Sequence, residues 1–365
     1  ERTGMGLRMF DPDLYVRTME QVASDQPDLY FMLGDDMNIS QMGMEDFFVG
    51  NRDRLNRRVI DEVYLEQRSY GRHMAHSTAL FLVNGNHEEA RRAFLDTPLH
   101  DVSIFAGSAR TRFFPLPAPD HFYTGDPEPV PGIGFLRDYY AFTWGDALFV
   151  TIDPYWHSPV NPGYGMGMGR SLRWTVPASR DVQAKYEAVV HGSWDPWAGT
   201  IGDEQYQWFE NTLEESDAKY KFVFAHHVHP LNRGGIETAK YFEWGGYSAD
   251  GVWEFDERRP DWELPIHQLM VENGVTIFFQ GHDHLFVRQE LDGIVYQSVA
   301  VPADPLYTGR NKNAYLSGDI LDNTGYLNVT VSPERLDVNY IRSYLPEDET
   351  EGRRHGEVAF SYTIE

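Results

Sequence analysis

Short apolar runs recur along the chain, and each stops abruptly at polar residues. Residues 29–33, 80–83, 222–225 and 275–279 are four such runs. Stretches of this length and character predict strands buried on both faces, as in a parallel or mixed sheet. Between them the period lengthens toward that of a helix. Asp11-Pro12 reads as a cap and a first-turn proline, and Leu14, Thr18, Val22 and Ala23 carry a helical stripe to Asp25, ahead of Pro27. A second, highly charged helix is expected over 51–70, with Leu55, Val59, Val63 and Leu65 facing inward. Two shorter ones come later, over 203–215 with Tyr206, Phe209 and Leu213, and over 263–273, closed by Asn273-Gly274.

Alternating segments take over late in the chain. Residues 139–144 and 147–152 flank Gly145-Asp146, and 285–291 and 294–299 flank Asp292-Gly293, a strong hairpin signal. A further antiparallel pair is expected over 325–331 and 336–340, and a last strand over 358–363. Residues 107–134, rich in proline and glycine, predict a long ordered loop. Two aromatic, glycine-bearing insertions stand out, at about 153–202 and 231–262; loops this long commonly cover a site. Without repeats or a separating linker, residues 1–365 read as one domain with a C-terminal antiparallel region at about 285–365. The early βαβ pattern and the later hairpins imply mixed sheets stacked with helices outside.

The chemistry lies in the polar residues that end each buried run. The first run ends in Gly34-Asp35-Asp36, the second in Asn84-Gly85-Asn86-His87-Glu88, the third in His226-His227 and the fourth in Gly281-His282-Asp283-His284. In open α/β sheets, sites form beyond the carboxyl ends of strands. A lone His-X-His is weak evidence of a metal; four strand ends with metal-type ligands describe a site. Asp, Asn and His without thiolates make a set suited to Mn, Fe or Zn. A carboxylate such as Asp35 can bridge two ions, and His87 beside Asn86 is placed to donate to a leaving oxygen. His73 and His76 precede a strand at its far end and read as surface. Asp36 reads as lying behind the ligands or solvated.

Composition narrows the partners. A net charge of −25 and a pI of about 4.8 argue against general binding to nucleic-acid backbone. An anionic substrate must then be drawn in locally, which bound cations achieve. The absence of cysteine excludes thiol catalysis, zinc–thiolate clusters and disulfides. No apolar run approaches the ~18 residues of a membrane span. Lack of cysteine with abundant Asn, Trp and Tyr fits an exported protein, periplasmic or extracellular. Oligomeric state is not legible.

Gly34-Asp35, Gly85-Asn86-His87-Glu88, His226 and Gly281-His282-Asp283-His284 resemble, in order, motifs of the calcineurin-like metallophosphoesterase superfamily across roughly 30–290. The resemblance implies a four-layer αββα sandwich of two mixed β-sheets with outer helices, and a centre of two divalent or trivalent transition metal ions. It makes Asp35 the bridging carboxylate, Asn86, His226 and His282 ligands of one metal, His284 a ligand of the other, and His87 the outer-sphere acid. His226 fits better than His227 because it is first after its strand. The implied activity is hydrolysis of a small phosphomonoester or phosphodiester by a water activated between two metals. His227, His229 and Arg233 are candidate contacts for substrate oxygens. Tyr155, Trp156, Tyr164, Trp194, Trp197, Tyr241 and Trp244 either stack a base or aromatic leaving group or knit the two insertions together. Two departures stand out. The opening Asp-X-His motif has no counterpart in the sequence and is expected upstream of Glu1. A tyrosine that purple acid phosphatases place three residues after the aspartate is Asn38 here, so a colourless phosphoesterase is expected. The competing reading is a binding or scaffold protein that kept the fold with one metal or none.

Overall fold

The computed structural model describes residues 10–39, 56–96, 99–160, 195–231 and 233–365. Helix α1 (Pro12–Asp25) starts where its cap dictates, with Asp11 Oδ1 accepting the N–H groups of Asp13 at 3.0 Å and Leu14 at 3.1 Å. It leads into β1 (Leu29–Met32), which pairs in parallel with β2 (Ala79–Leu82); α2 (Arg57–Gly71) lies between them in the chain. The buried face of α2 is Ile60, Tyr64, Gln67 and Gly71. Val59 and Val63 are only half-buried and Leu65 is 46 % exposed, so the expected stripe is turned by about one residue. Tertiary packing sets this rotation: Gln67 is drawn inward to donate to Tyr15 Oη at 2.7 Å. Leu55 lies outside the described residues.

The expected loop over 107–134 is corrected at its start, because 107–113 complete α3 (His100–Phe113). Its inner face is built largely of small residues, Ser103, Ala106, Gly107 and Ala109, which give little hydrophobic contrast along the sequence. Beyond it come the two-residue strands β3 (Thr124–Gly125), β4 (Pro129–Val130) and β5 (Gly134–Phe135). The hairpin β6 (Tyr140–Trp144) and β7 (Ala147–Thr151) forms as expected. Next are α4 (Asp203–Glu214), β8 (Tyr220–Ala225), the single turns α5 (Phe242–Gly245) and α6 (Phe255–Arg258), and α7 (Ile266–Glu272). The remainder is β9 (Ile277–Gln280), β10 (Phe286–Leu291), β11 (Ile294–Ser298), β12 (Asp319–Leu321), β13 (Gly325–Val331), β14 (Leu336–Arg342) and β15 (Val358–Ile364).

Eight strands form one mixed sheet in the order β12-β10-β11-β9-β8-β7-β6-β3. Strands β7, β8, β9 and β11 run parallel at its centre, flanked by antiparallel partners. One face packs Val150, Val223, Phe278 and Tyr296 beneath Phe209 and Leu213 of α4 and Leu269 of α7. The other packs Phe222, Phe224, Ile277 and Phe279 against Phe31, Val83, Leu336 and Val338. Phe31 stacks on Phe224 with ring centroids 4.1 Å apart, joining the two sheet layers. Outside the second layer, α1 covers Tyr326 and Ile341, while α2 and α3 cover Met32 and Leu82. The helix–sheet–sheet–helix stack is therefore present. Among the described residues its second sheet layer comes as two hydrogen-bonded pieces, the β1-β2 pair and the antiparallel trio β13-β14-β15. No helix among them is long and apolar enough to cross a membrane.

Candidate metal centre

The carboxyl ends of β1, β2, β8 and β9 face one another across the two sheet layers. His226 Nε2 lies 3.0 Å from Asn86 Oδ1, 3.0 Å from His282 Nδ1 and 3.2 Å from Asp35 Oδ2. Four segments separated by up to 247 positions thus bring their ligand atoms to one point, 282 minus 35 being that span. His226 Nδ1 faces Leu33 O at 2.6 Å and donates to it, which leaves Nε2 as the inward lone pair. One proton on Nε2 serves one of its three approaches, whereas an ion seated among the four atoms serves them all. The donor set of two imidazoles, one carboxylate and one amide oxygen fits a first-row transition ion.

Backbone geometry makes the convergence possible. Gly34 has φ +89°, and a Cβ there would stand 2.6 Å from His226 Nδ1 and 2.8 Å from Gly85 Cα. The loops after β1 and β2 are in direct backbone contact, which only glycine permits. Asp35, His282 and His284 themselves hold positive φ, 62°, 61° and 63°. Three non-glycine residues in the left-handed region of one site mark a place where strain serves geometry. Glu88, part of the motif but without a role legible in the sequence, is the tie: Oε2 accepts Gly85 N at 2.8 Å, and Oε1 accepts Asp36 N at 2.8 Å and Met37 N at 3.3 Å. Burial and then the Asp35 charge raise its pKa to about 7.

The charges divide according to neighbours. Burial pushes Asp35 upward, but His226, His87 and His282 outweigh it and hold the carboxyl well below its usual range. Burial pulls His226 down, and Asp35 more than restores it, to about 8. His282 is held well below the normal imidazole value by burial and by His227 and His226. Asp36, behind the ligands, is pushed far up by burial, Glu88 and Asp35.

His87 sits at the rim with its side chain 28 % exposed; its backbone N–H donates to Asp35 Oδ1 at 2.9 Å and its Nε2 is 3.9 Å from Asp35 Oδ2. Burial lowers its pKa although Asp35 opposes this. His284 is not among the converging atoms; it stands nearby, where burial and then Arg233 depress it to about 3. Arg233 is part-exposed, with Nη1 donating to His282 O at 2.7 Å and Asp283 Oδ1 at 3.0 Å.

His227 and His229, the other two expected substrate contacts, are both buried. His227 is 2 % exposed and packs beneath the centre, its ring 4.8 Å from His282 and 5.8 Å from Tyr155. His229 is buried too, with Nε2 2.5 Å from Glu243 Oε1, and Glu243 also binds the Arg259 guanidinium through Oε2. That interior triad holds the 231–262 insertion to the strand end. Tyr155, Trp156, Trp197 and Trp244 are core residues, so they knit rather than stack. Tyr164 and Trp194 lie outside the described residues, as does most of the first insertion.

A second group, Asp126, Asp138 and His157, also has ligand-type atoms within 4.8 Å of one another. Here the arrangement is satisfied by protons: His157 Nε2 donates to Asp138 Oδ2 at 2.9 Å, and Asp138 Oδ1 accepts Tyr139 N at 2.9 Å.

With helix–sheet–sheet–helix layering and this cluster at the strand ends, the chain has the fold of the calcineurin-like metallophosphoesterases. Among solved structures, it is similar to PhoD, with 14 % identity and a TM-score of 0.57, covering 96 % of this chain and 66 % of that one. It is likewise similar to purple acid phosphatase PPD1 from yellow lupin (Lupinus luteus) seeds, with 15 % identity and a TM-score of 0.53, covering 98 % of this chain and 50 % of that one. The chain therefore spans between half and two thirds of the length of these two. No family model and no curated protein matches the sequence.

Proposed function

We propose that the chain is a metal-dependent phosphoester hydrolase acting on a phosphomonoester or phosphodiester. The observation that carries this reading is the approach of three ligand atoms, from Asn86, His282 and Asp35, to His226 Nε2. These four residues would hold one ion, and Asp35 with His284 would contribute to a second. Manganese, iron and zinc all suit such donors. Bound ions supply positive charge to the phosphoryl oxygens and lower the pKa of an attacking water.

The chain's own residues do the rest. Leu33 O fixes the His226 tautomer, and Glu88 locks the Asp35 and Asn86 loops against each other, so that the ligands are preorganised. His87, rim-exposed beside Asp35, donates a proton to the departing oxygen. Its depressed pKa leaves the free ring neutral, with one N–H donor; an anionic phosphoryl group alongside draws the pKa back up. Arg233 is the nearby cation for a non-bridging oxygen.

The test is hydrolysis of a chromogenic phosphate ester with added manganese, by the wild type and by His87→Ala. Metal-dependent turnover that falls ~10²–10⁴-fold in the variant supports the reading. Equal rates remove His87 from the mechanism, and no turnover with manganese, or with iron or zinc in its place, removes the hydrolase.

A further inference from the structure

At the mouth of the centre, several segments are gathered by Asp283, a residue that neither holds an ion nor moves a proton in the proposed hydrolysis. It lies between two proposed ligands, His282 and His284, on what would ordinarily be a solvated turn, yet it is 1 % exposed. Its Oδ1 accepts Arg233 Nη1 at 3.0 Å; its Oδ2 accepts Gly234 N at 2.9 Å and Tyr315 Oη at 2.6 Å. Its carbonyl accepts Asn311 Nδ2 at 2.8 Å. Gln280 Nε2 closes the network by donating to Tyr315 Oη at 3.0 Å and Gly234 O at 3.2 Å. Two loops distant in sequence, one opening at 233 and one spanning 311–315, are thereby pinned to the turn that carries the histidines.

Arg233 is what this network orients. Among the described residues its hydrogen bonds run through Nη1, to His282 O and Asp283 Oδ1. The side chain stays 29 % exposed, and its Nη1 lies 2.7 Å from the carbonyl oxygen of His282, a proposed ligand, so the guanidinium stands at the edge of the centre. An arginine held at one nitrogen keeps its remaining N–H donors in a fixed plane for an anion's oxygens. The Asp283 carboxylate offsets part of the charge, but it removes the rotamer freedom that a loop arginine would otherwise lose on binding.

We propose that Asp283 is a positioning residue that holds Arg233 as the contact for a non-bridging oxygen of a phosphoryl group. This rests on the hydrolase reading for the identity of the ligand, and a binding measurement separates the two. Inorganic phosphate is titrated calorimetrically into the manganese-loaded full chain, wild type, Arg233→Ala, Asp283→Asn and the double variant, with metal content measured on each. Expected is an affinity loss on the order of tenfold in Arg233→Ala, about what one charged hydrogen bond contributes. A comparable loss is expected in Asp283→Asn, which touches no anion, and no further loss in the double variant, with metal content unchanged throughout. Tyr315→Phe, which removes one bond to Asp283 and little volume, is expected to show a smaller loss in the same direction and guards against a misfolded Asp283 variant. Unchanged phosphate affinity in Arg233→Ala, additive losses in the double variant, or loss of manganese in Asp283→Asn each overturns the proposal. A wild type that binds phosphate through Arg233 yet hydrolyses no ester overturns the catalytic reading and supports this one.

Discussion

Replacing Gly85 by alanine asks whether ligand convergence depends on two backbones in contact. Gly85 is outside the left-handed region, so alanine meets no conformational barrier and space alone is at issue. A Cβ there would lie 2.4 Å from Asp35 N and 2.6 Å from both Asp35 Oδ1 and Glu88 Oε2. Ordinary non-bonded contact begins near ~3.5 Å, so the loops must part by about 1 Å. Metal–ligand distances tolerate only ~0.2 Å. Asp35 and Asn86 therefore cannot both reach an ion held by His226 and His282. Manganese affinity is expected to fall at least ~10–100-fold, the range seen when groups supporting a metal's ligands are disturbed. Stability without metal is expected to fall by about 1–3 kcal/mol from overpacking. The assay is calorimetric titration of manganese into chelator-stripped protein, beside denaturant unfolding. Gly352→Ala is the control, because its Cβ would meet nothing within 4 Å. Wild-type affinity and stability in Gly85→Ala would refute the reasoning, since the loops would then have room that the geometry denies them.

Two further outcomes concern parts of the fold away from the ligands. Glu243→Ala leaves His229 and the Arg259 guanidinium without their buried partner and is expected to cost about 3–5 kcal/mol in denaturant unfolding; a loss under about 1 kcal/mol would mean the triad is dispensable. The His157–Asp138 pair makes stability depend on pH. Burial pulls His157 down, but Asp138 outweighs it, so the folded ring binds its proton more tightly than the unfolded one. That contribution is complete below about pH 6.5 and is lost as pH rises through the folded value. Unfolding free energy should therefore drop as pH rises from about 6 through the folded value by more in the wild type than in Asp138→Asn; parallel profiles would count against the pair.

Much of the fold was legible because buried strands and their ends write short, local signatures. The runs before Asp35, Asn86, His226 and His282 are apolar and end at polar residues; β8 and β9 are buried throughout as expected, whereas β1 and β2, a pair on their own in the second layer, are only part-buried or exposed over their first residues. The α1 cap, both two-residue hairpin turns and the 203–214 helix were equally local. Helix α3 was not, because small residues make up much of its inner face and leave no stripe to read. The stripe of α2 was misplaced by one position because a buried hydrogen bond, Gln67 to Tyr15, sets its rotation. His227 and His229 read as candidate substrate contacts from their place beside His226; that both are buried is visible only in the tertiary structure.

Residue order alone determined which side chains end the buried strands, and hence which donors are available at one edge of the sheet. Tertiary structure decided which of them meet. Which of His226, His227 and His229 points at Asp35 depends on the backbone after β8, and His226 is held there by its Nδ1 contact with Leu33 O and the space that Gly34 leaves beside its ring. Convergence is a property of distances between segments far apart in the chain. Local chemistry can nominate the atoms, but only close packing brings them within 3.0–3.2 Å of His226 Nε2.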